Sequence, residues 1–91
     1  MKLTLYSIPN NQESARIKEF LDKNNLPFSE IIIDSNEKLI EAKKAKQFDT
    51  INNSFLKINN PHSIHIINGY NESALFQLIK HINKYKPKII K

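Results

Sequence analysis

The side chains best suited to chemistry in this 91-residue chain are three histidines, a serine beside a glutamate, and a run of lysines near the C-terminus. A metal site built from His62, His65 and His81 alone requires all three imidazoles to converge, with no thiolate or carboxylate motif beside them. His65 alternates with Ile64 and Ile66, which turns it toward solvent, and helical spacing puts His81 on an outer face. All three read as surface histidines, and no metal is expected. Ser14, His62 and Asp49 have the spacing of neither a nucleophile elbow nor an oxyanion hole. The only glycine, Gly69, is too few for a glycine-rich phosphate loop, so no cofactor is expected either. Cysteine is absent altogether, which removes disulfides, thiolate metal sites and cysteine nucleophiles together.

The formal charge is +5, from 14 basic against 9 acidic side chains, and the excess is local. Lys80, Lys84, Lys86, Lys88 and Lys91 follow one another with no acid between them, and Lys43, Lys44 and Lys46 form a second cluster. Lysine near a helix C-terminus complements the helix dipole, so the first reading is a solvated helix end running into a basic tail from about residue 86. The competing reading is a nucleic-acid-binding or assembly accessory surface. Only Tyr85 is placed beside these lysines for base stacking, so nucleic-acid binding is expected to be weak.

The elements that must position these residues follow from periodicity. Residues 1–7 alternate Leu3 and Leu5 with Lys2, Thr4 and Tyr6, as a strand does, and Pro9 with Asn10 and Asn11 ends it. A helix begins near Asn11, with Ala15, Ile17, Phe20 and Leu21 on one stripe, and closes at Asn24-Asn25. Residues 28–34 contain the run Ile31-Ile32-Ile33, too short for a helix and β-branched, which predicts a buried parallel strand. Asp34 and Ser35 are candidate N-caps for a second helix carrying Leu39, Ile40, Ala42, Ala45 and Phe48. Two short strands, near 55–58 and 63–67, form a hairpin through Asn59, Asn60, Pro61 and His62. Gly69 falls where a positive φ or a close backbone approach is needed, and Asn71 caps a last helix whose stripe is Ala74, Leu75, Leu78, Ile79, Ile82 and Tyr85, ending before Pro87. The order is β-α-β-α-β-β-α in one α/β domain spanning residues 1–91, with a four-stranded mixed sheet flanked by helices. No apolar run reaches the roughly 20 residues of a membrane span, nor a secretory leader's length, so a cytoplasmic location away from membranes is expected.

This order resembles the thioredoxin fold, and local details resemble a glutaredoxin. Leu5-Tyr6-Ser7-Ile8-Pro9 resembles the family's first strand and following turn, and Ser14-Ala15-Arg16-Ile17-Lys18 its first helix. Leu26-Pro27-Phe28 with Glu30 resembles its second strand, and Asn68-Gly69-Tyr70-Asn71 its Gly-Tyr/Phe-Asp segment. The likeness covers the whole chain. An ungapped reading sets Asn11-Gln12-Glu13-Ser14 on the family's Cys-Pro-Tyr-Cys, so both redox cysteines are gone. The family's cis-proline falls near Asn53-Ser54, where no proline stands; the alternative places Pro61 there.

Thiol-disulfide exchange needs a low-pKa thiolate, which Asn11 cannot supply, and Ser14 has no histidine near it in sequence to act as a base. The resemblance therefore implies a redox-inactive, non-enzymatic binding module with an unidentified protein or peptide partner. Tyr6, Asn53, Ser54, Gly69, Tyr70 and Asn71 would line the old substrate groove, and the missing proline argues against glutathione. If the basic segment is only a solvated helix end, fluorescence anisotropy will detect nucleic acid weakly and without sequence preference. Binding will fall with salt at a log-log slope of about −0.7 to −0.9 per phosphate neutralised. Sequence-selective binding at physiological salt that is lost when Lys84, Lys86 and Lys88 become Gln would promote the competing reading.

Overall fold

The computed structural model describes residues 1–46 and 51–85. Phe48 and Asp49, and the tail lysines Lys86, Lys88 and Lys91, lie outside the described residues, as do the side chains of Lys84 and Tyr85. The elements are β1 (Lys2–Ser7), α1 (Gln12–Lys23), β2 (Ser29–Ile32), α2 (Asn36–Lys46), β3 (Phe55–Asn59), β4 (Ile64–Asn68) and α3 (Glu72–Tyr85).

Each helix starts on a residue whose side chain satisfies an otherwise orphaned amide. Asn11 accepts from Ser14 N at 3.0 Å, Ser35 from Lys38 N at 3.2 Å, and Asn71 from Ala74 N at 3.1 Å. The end of α1 is equally specified. Asn25 takes φ +56°, and Leu26 N donates to Leu21 O at 2.9 Å while Asn25 N donates to Asp22 O at 3.1 Å. That pair of bonds around a left-handed residue is a Schellman stop, met here by Asn rather than Gly.

The strands form one sheet in the order β2-β1-β3-β4. β2 lies parallel to β1, with Thr4 opposite Ser29 and Ser7 opposite Ile32. β3 is antiparallel to β1 and β4 antiparallel to β3, with Leu5 opposite Leu56 and Leu56 opposite Ile67. Alternation along the strands divides the apolar residues between two faces. Leu3, Leu5, Leu56, Ile58 and Ile67 meet Ile17, Phe20 and Leu21 of α1 and Leu75 and Leu78 of α3 in the larger core. The smaller core packs Tyr6 and Phe55 against Ala42 and Ala45 of α2, the two rings stacked at 4.8 Å and 12°. Among the described residues no helix is long and apolar enough to cross a membrane.

Two expectations change. β2 is parallel, but it is an edge strand rather than a buried one, because β3 takes the other side of β1 and leaves β2 a single neighbour. Ile31 and Ile33 pack against the smaller core, whereas Ile32 points away and is 48% exposed. Among the described residues of α2, Ala42 and Ala45 are buried and Ile40 is exposed, since the helix covers the sheet with small residues.

These placements separate two substitutions that look alike in sequence. Leu21→Ala, at a position of 0% exposure, is expected to cost about 2–5 kcal/mol. Ile32→Ala should change stability by no more than about 0.5 kcal/mol, as surface sites do. Urea denaturation of both variants measures the contrast, and equal losses would place β2 in the interior.

Candidate functional site

The loop leaving β1 turns sharply into α1. Asn11 N donates to Ile8 O at 3.2 Å, and Asn10 adopts φ +59°, which asparagine tolerates better than most residues. Asn11 follows in an extended conformation (φ −97°, ψ 123°) as the N-cap. Its Oδ1 accepts from Ser14 N and also from the Ser54 hydroxyl at 3.1 Å, while Ser14 Oγ donates to Asn11 O at 2.8 Å.

Ser54, immediately before β3, is fully buried. Its Oγ accepts from Ile8 N at 2.9 Å, its carbonyl accepts from Gly69 N at 2.7 Å, and its amide donates to Asn53 Oδ1 at 2.8 Å. Gly69 has φ +69°, which favours glycine, and a Cβ there would stand 2.7 Å from Asn53 Nδ2 and 3.2 Å from Glu13 Oε1, so those two side chains would also have to shift. Glu13 Oε1 in turn accepts from Tyr70 N at 3.3 Å. Asn11, Glu13, Ser14, Asn53, Ser54, Gly69 and Tyr70 are thus gathered into one network, with Asn71 capping α3 beside it and Gln12 exposed at the start of α1.

Tyr6 does not belong with them. Its ring lies under α2 against Phe55, on the opposite face of the sheet from α1. Burial, and secondarily the charge of Glu41, push its hydroxyl pKa up. Pro61 sits exposed in the turn between β3 and β4, and Ser54 occupies the approach to β3 beside the loop. Among the described residues no peptide bond is cis.

Sequence reasoning missed two features. Arg16 lays its guanidinium 4.3 Å from the centre of the Tyr70 ring, beside a cleft of roughly 590 Å³ between α1 and α3 that Phe20, Lys23 and the exposed Phe76 help line. Phe20 and Phe76 meet edge to face at 5.9 Å. On the other side of the loop, Ser7 Oγ donates to Glu30 Oε2 at 2.6 Å, and Lys18 Nζ lies 3.1 Å from the same oxygen. Each grouping joins residues far apart in the chain, and only the strand register and helix rotation bring them together.

The histidines line one shallow depression with Met1, Asn60, Pro61 and Ser63. Among the described residues no group of three metal-ligating side chains is arranged to hold an ion. Of the lysines, Lys80 is exposed on α3, and Lys46 bonds Asn68 Oδ1 at 2.9 Å while lying 5.5 Å from the Phe55 ring centre.

No family model matches the chain, and no curated protein does. Solved structures do. The glutaredoxin-like protein NrdH-redoxin from Escherichia coli superposes with a TM-score of 0.59 at 18% identity, over 98% of this chain and 100% of that one. Glutaredoxin 1 from Francisella tularensis, in complex with cacodylate, gives 0.59 at 18% identity over 91% and 96%. FzlA from C. crescentus gives 0.60 at 17% identity over 100% of this chain but 38% of its own. At these identities the likeness is one of fold: the chain has the glutaredoxin-type thioredoxin fold. It carries this fold without a cysteine.

The Ser7 hydrogen bond, followed by that of Lys18 and its charge, holds the Glu30 carboxyl below the usual carboxylate range despite partial burial. A lowered native pKa adds stability above the unfolded value of 4.5 and loses it as pH falls through the native value. Urea midpoints of the wild type should therefore drop more steeply below about pH 4.5 than those of Glu30→Gln, with the two curves converging in strong acid. Parallel curves would show that the carboxylate contributes no such linkage.

Proposed function

We propose that this chain is a redox-inactive binding module that takes an extended peptide segment of a protein partner, between its loop and the α1–α3 cleft. The observation that carries the reading is the position of Asn11. The thioredoxin-fold redox site needs a thiolate at the start of the first helix, stabilised by free amides and the helix dipole. Here that position holds an amide whose oxygen already accepts from Ser14 N and the Ser54 hydroxyl. One first-turn amide is thus taken by the chain's own side chain, which favours recognition over chemistry, and asparagine at this position offers no nucleophile for a mixed disulfide.

The neighbouring cleft supplies what a peptide anchor requires. Tyr70 and Phe20 form an aromatic floor, Phe76 is 52% exposed, and Arg16, Lys23, Glu19 and Glu72 set both charge signs around the rim. Aromatic floors rimmed by charge suit a peptide with one aromatic or branched apolar anchor and polar flanks. Glutathione lacks such an anchor, and its weak or absent binding is part of the reading.

Panning a displayed library of random peptides on the folded chain tests this. Enriched peptides should carry an aromatic or branched apolar anchor, and Tyr70→Ala and Phe76→Ser should each weaken their binding at least about tenfold, as truncation of an anchor contact does. Peptides indifferent to both substitutions, or no enrichment at all, reject the proposal.

A further inference from the structure

β4 forms one edge of the sheet, and among the described residues no strand lies beyond it. Which of its backbone groups face outward follows from two bonds. Gly69 N donates to Ser54 O at 2.7 Å and Asn60 N donates to Ser63 O at 2.8 Å. Antiparallel ladders alternate bonded and non-bonded pairs. In the observed register the pairs Leu56–Ile67 and Ile58–His65 are therefore bonded across, while Phe55–Asn68, Lys57–Ile66 and Asn59–Ile64 are not. Ile64, Ile66 and Asn68 consequently direct both N–H and C=O away from β3.

Natural sheets blunt such edges with charge, proline, bulges or very short strands. The opposite edge is blunted: β2 has four residues, and its Glu30 is tied to Ser7 and Lys18. β4 has none of these devices. Its register runs through five consecutive pairs without a bulge, it contains no proline, and it is the one strand without a charged residue, whereas β1 has Lys2, β2 has Glu30 and β3 has Lys57. Ile64 at its start is 47% exposed.

We infer that β4 pairs antiparallel with β4 of a second copy about a two-fold axis at Ile66, joining the two sheets into one. This contact uses the sheet edge and does not depend on the peptide-binding proposal. The occupant follows from self-complementarity and charge. With Ile66 opposite its own symmetry mate, Ile64 falls opposite Asn68 of the second copy, so every outward donor meets an outward acceptor, two bonds for each pair. Two copies that each carry a net charge of +5 repel on average, and an uncharged strand is where they can approach. The nearby cations are Lys57, opposite Ile66 on β3, and Lys46, held at Asn68; the two Lys57 residues stand three strand spacings apart across the axis, about 14 Å. The axis sends the two Asn68 residues to opposite ends of the pairing, about 14 Å apart along the strands and beyond the roughly 8 Å Debye length of physiological salt. A five-residue edge is a small interface, so dimerisation should be weak and reversible.

Sedimentation equilibrium of the full chain over a concentration series tests this, with amide exchange as a second reading. The expected result is reversible conversion of the 10.6 kDa monomer to its dimer. Amides of Ile64, Ile66 and Asn68 should exchange more slowly as concentration rises, while those of His65 and Ile67, already bonded to β3, stay unchanged. The double variant Ile64→Lys, Asn68→Lys changes two exposed positions and sets like charges directly opposite at both ends. It should weaken dimerisation at least about tenfold with the circular-dichroism melt preserved; Ile32→Lys on the other edge should leave it intact. If the double variant unfolds, the exchange pattern of the wild type decides. A monomer at every concentration overturns the inference. So does a dimer indifferent to the β4 variant, or edge amides that slow only when a foreign extended peptide is added.

Discussion

The Ser54 hydroxyl, fully buried, accepts from Ile8 N–H and donates to Asn11 Oδ1, while the Ser54 carbonyl accepts from Gly69 N–H. Through this one residue the exit of β1, the start of α1, the approach to β3 and the end of β4 are tied together. The direction in which α1 leaves the sheet depends on it, and with that direction the packing of Ile17, Phe20 and Leu21 on Leu3, Leu5 and Leu56. Buried polar joints of this kind fix geometry only when every member is satisfied. Among the described residues no buried side-chain nitrogen or oxygen lacks a partner. The joint therefore specifies an arrangement without the cost of an orphaned group.

The same joint explains why the loop is suited to holding structure rather than to reaction. A helix start offers free amides and a positive field, and these can stabilise a ligand, a thiolate or the chain's own cap. Here the cap takes one of these amides, Ser14 N. Asn11 and Ser14 bond each other in both directions, and Glu13 is turned toward Tyr70 N–H, so recognition shifts outward to the exposed rings and charges of the α1–α3 cleft.

Much of this was legible in the chain because its signals are local. The helix start near Asn11, caps at Ser35 and Asn71, the strand alternation of Leu3 and Leu5, and the positive φ of Gly69 each depend on a few neighbouring residues, and each stands where expected. What depends on long-range placement was not legible. The run Ile31-Ile32-Ile33 has the composition of an interior strand, and only the side on which β3 joins β1 makes it an edge. Tyr6 adjoins the loop in sequence, yet strand alternation turns its ring to the face covered by α2, away from α1. The Ser7–Glu30–Lys18 cluster and the Arg16–Tyr70 stack require a register and a helix rotation that no local pattern encodes.

Asparagine followed by glycine is the dipeptide that ages fastest in water, because the glycine nitrogen, unhindered by a side chain, attacks the asparagine side-chain carbonyl and closes a succinimide ring. Asparagine is accordingly among the residues that heat-adapted proteins avoid. This chain has one such pair, Asn68-Gly69, at the end of β4. Both reactants are engaged: the Gly69 N–H is held by Ser54 O at 2.7 Å, and Asn68 Oδ1 is held by Lys46 at 2.9 Å. Ring closure requires the Gly69 N–H to leave Ser54 O, whereas the Lys46 contact only polarises the carbonyl under attack, so the chemical lifetime of this pair is set by how often β3 and β4 part at that end rather than by the intrinsic rate of the dipeptide.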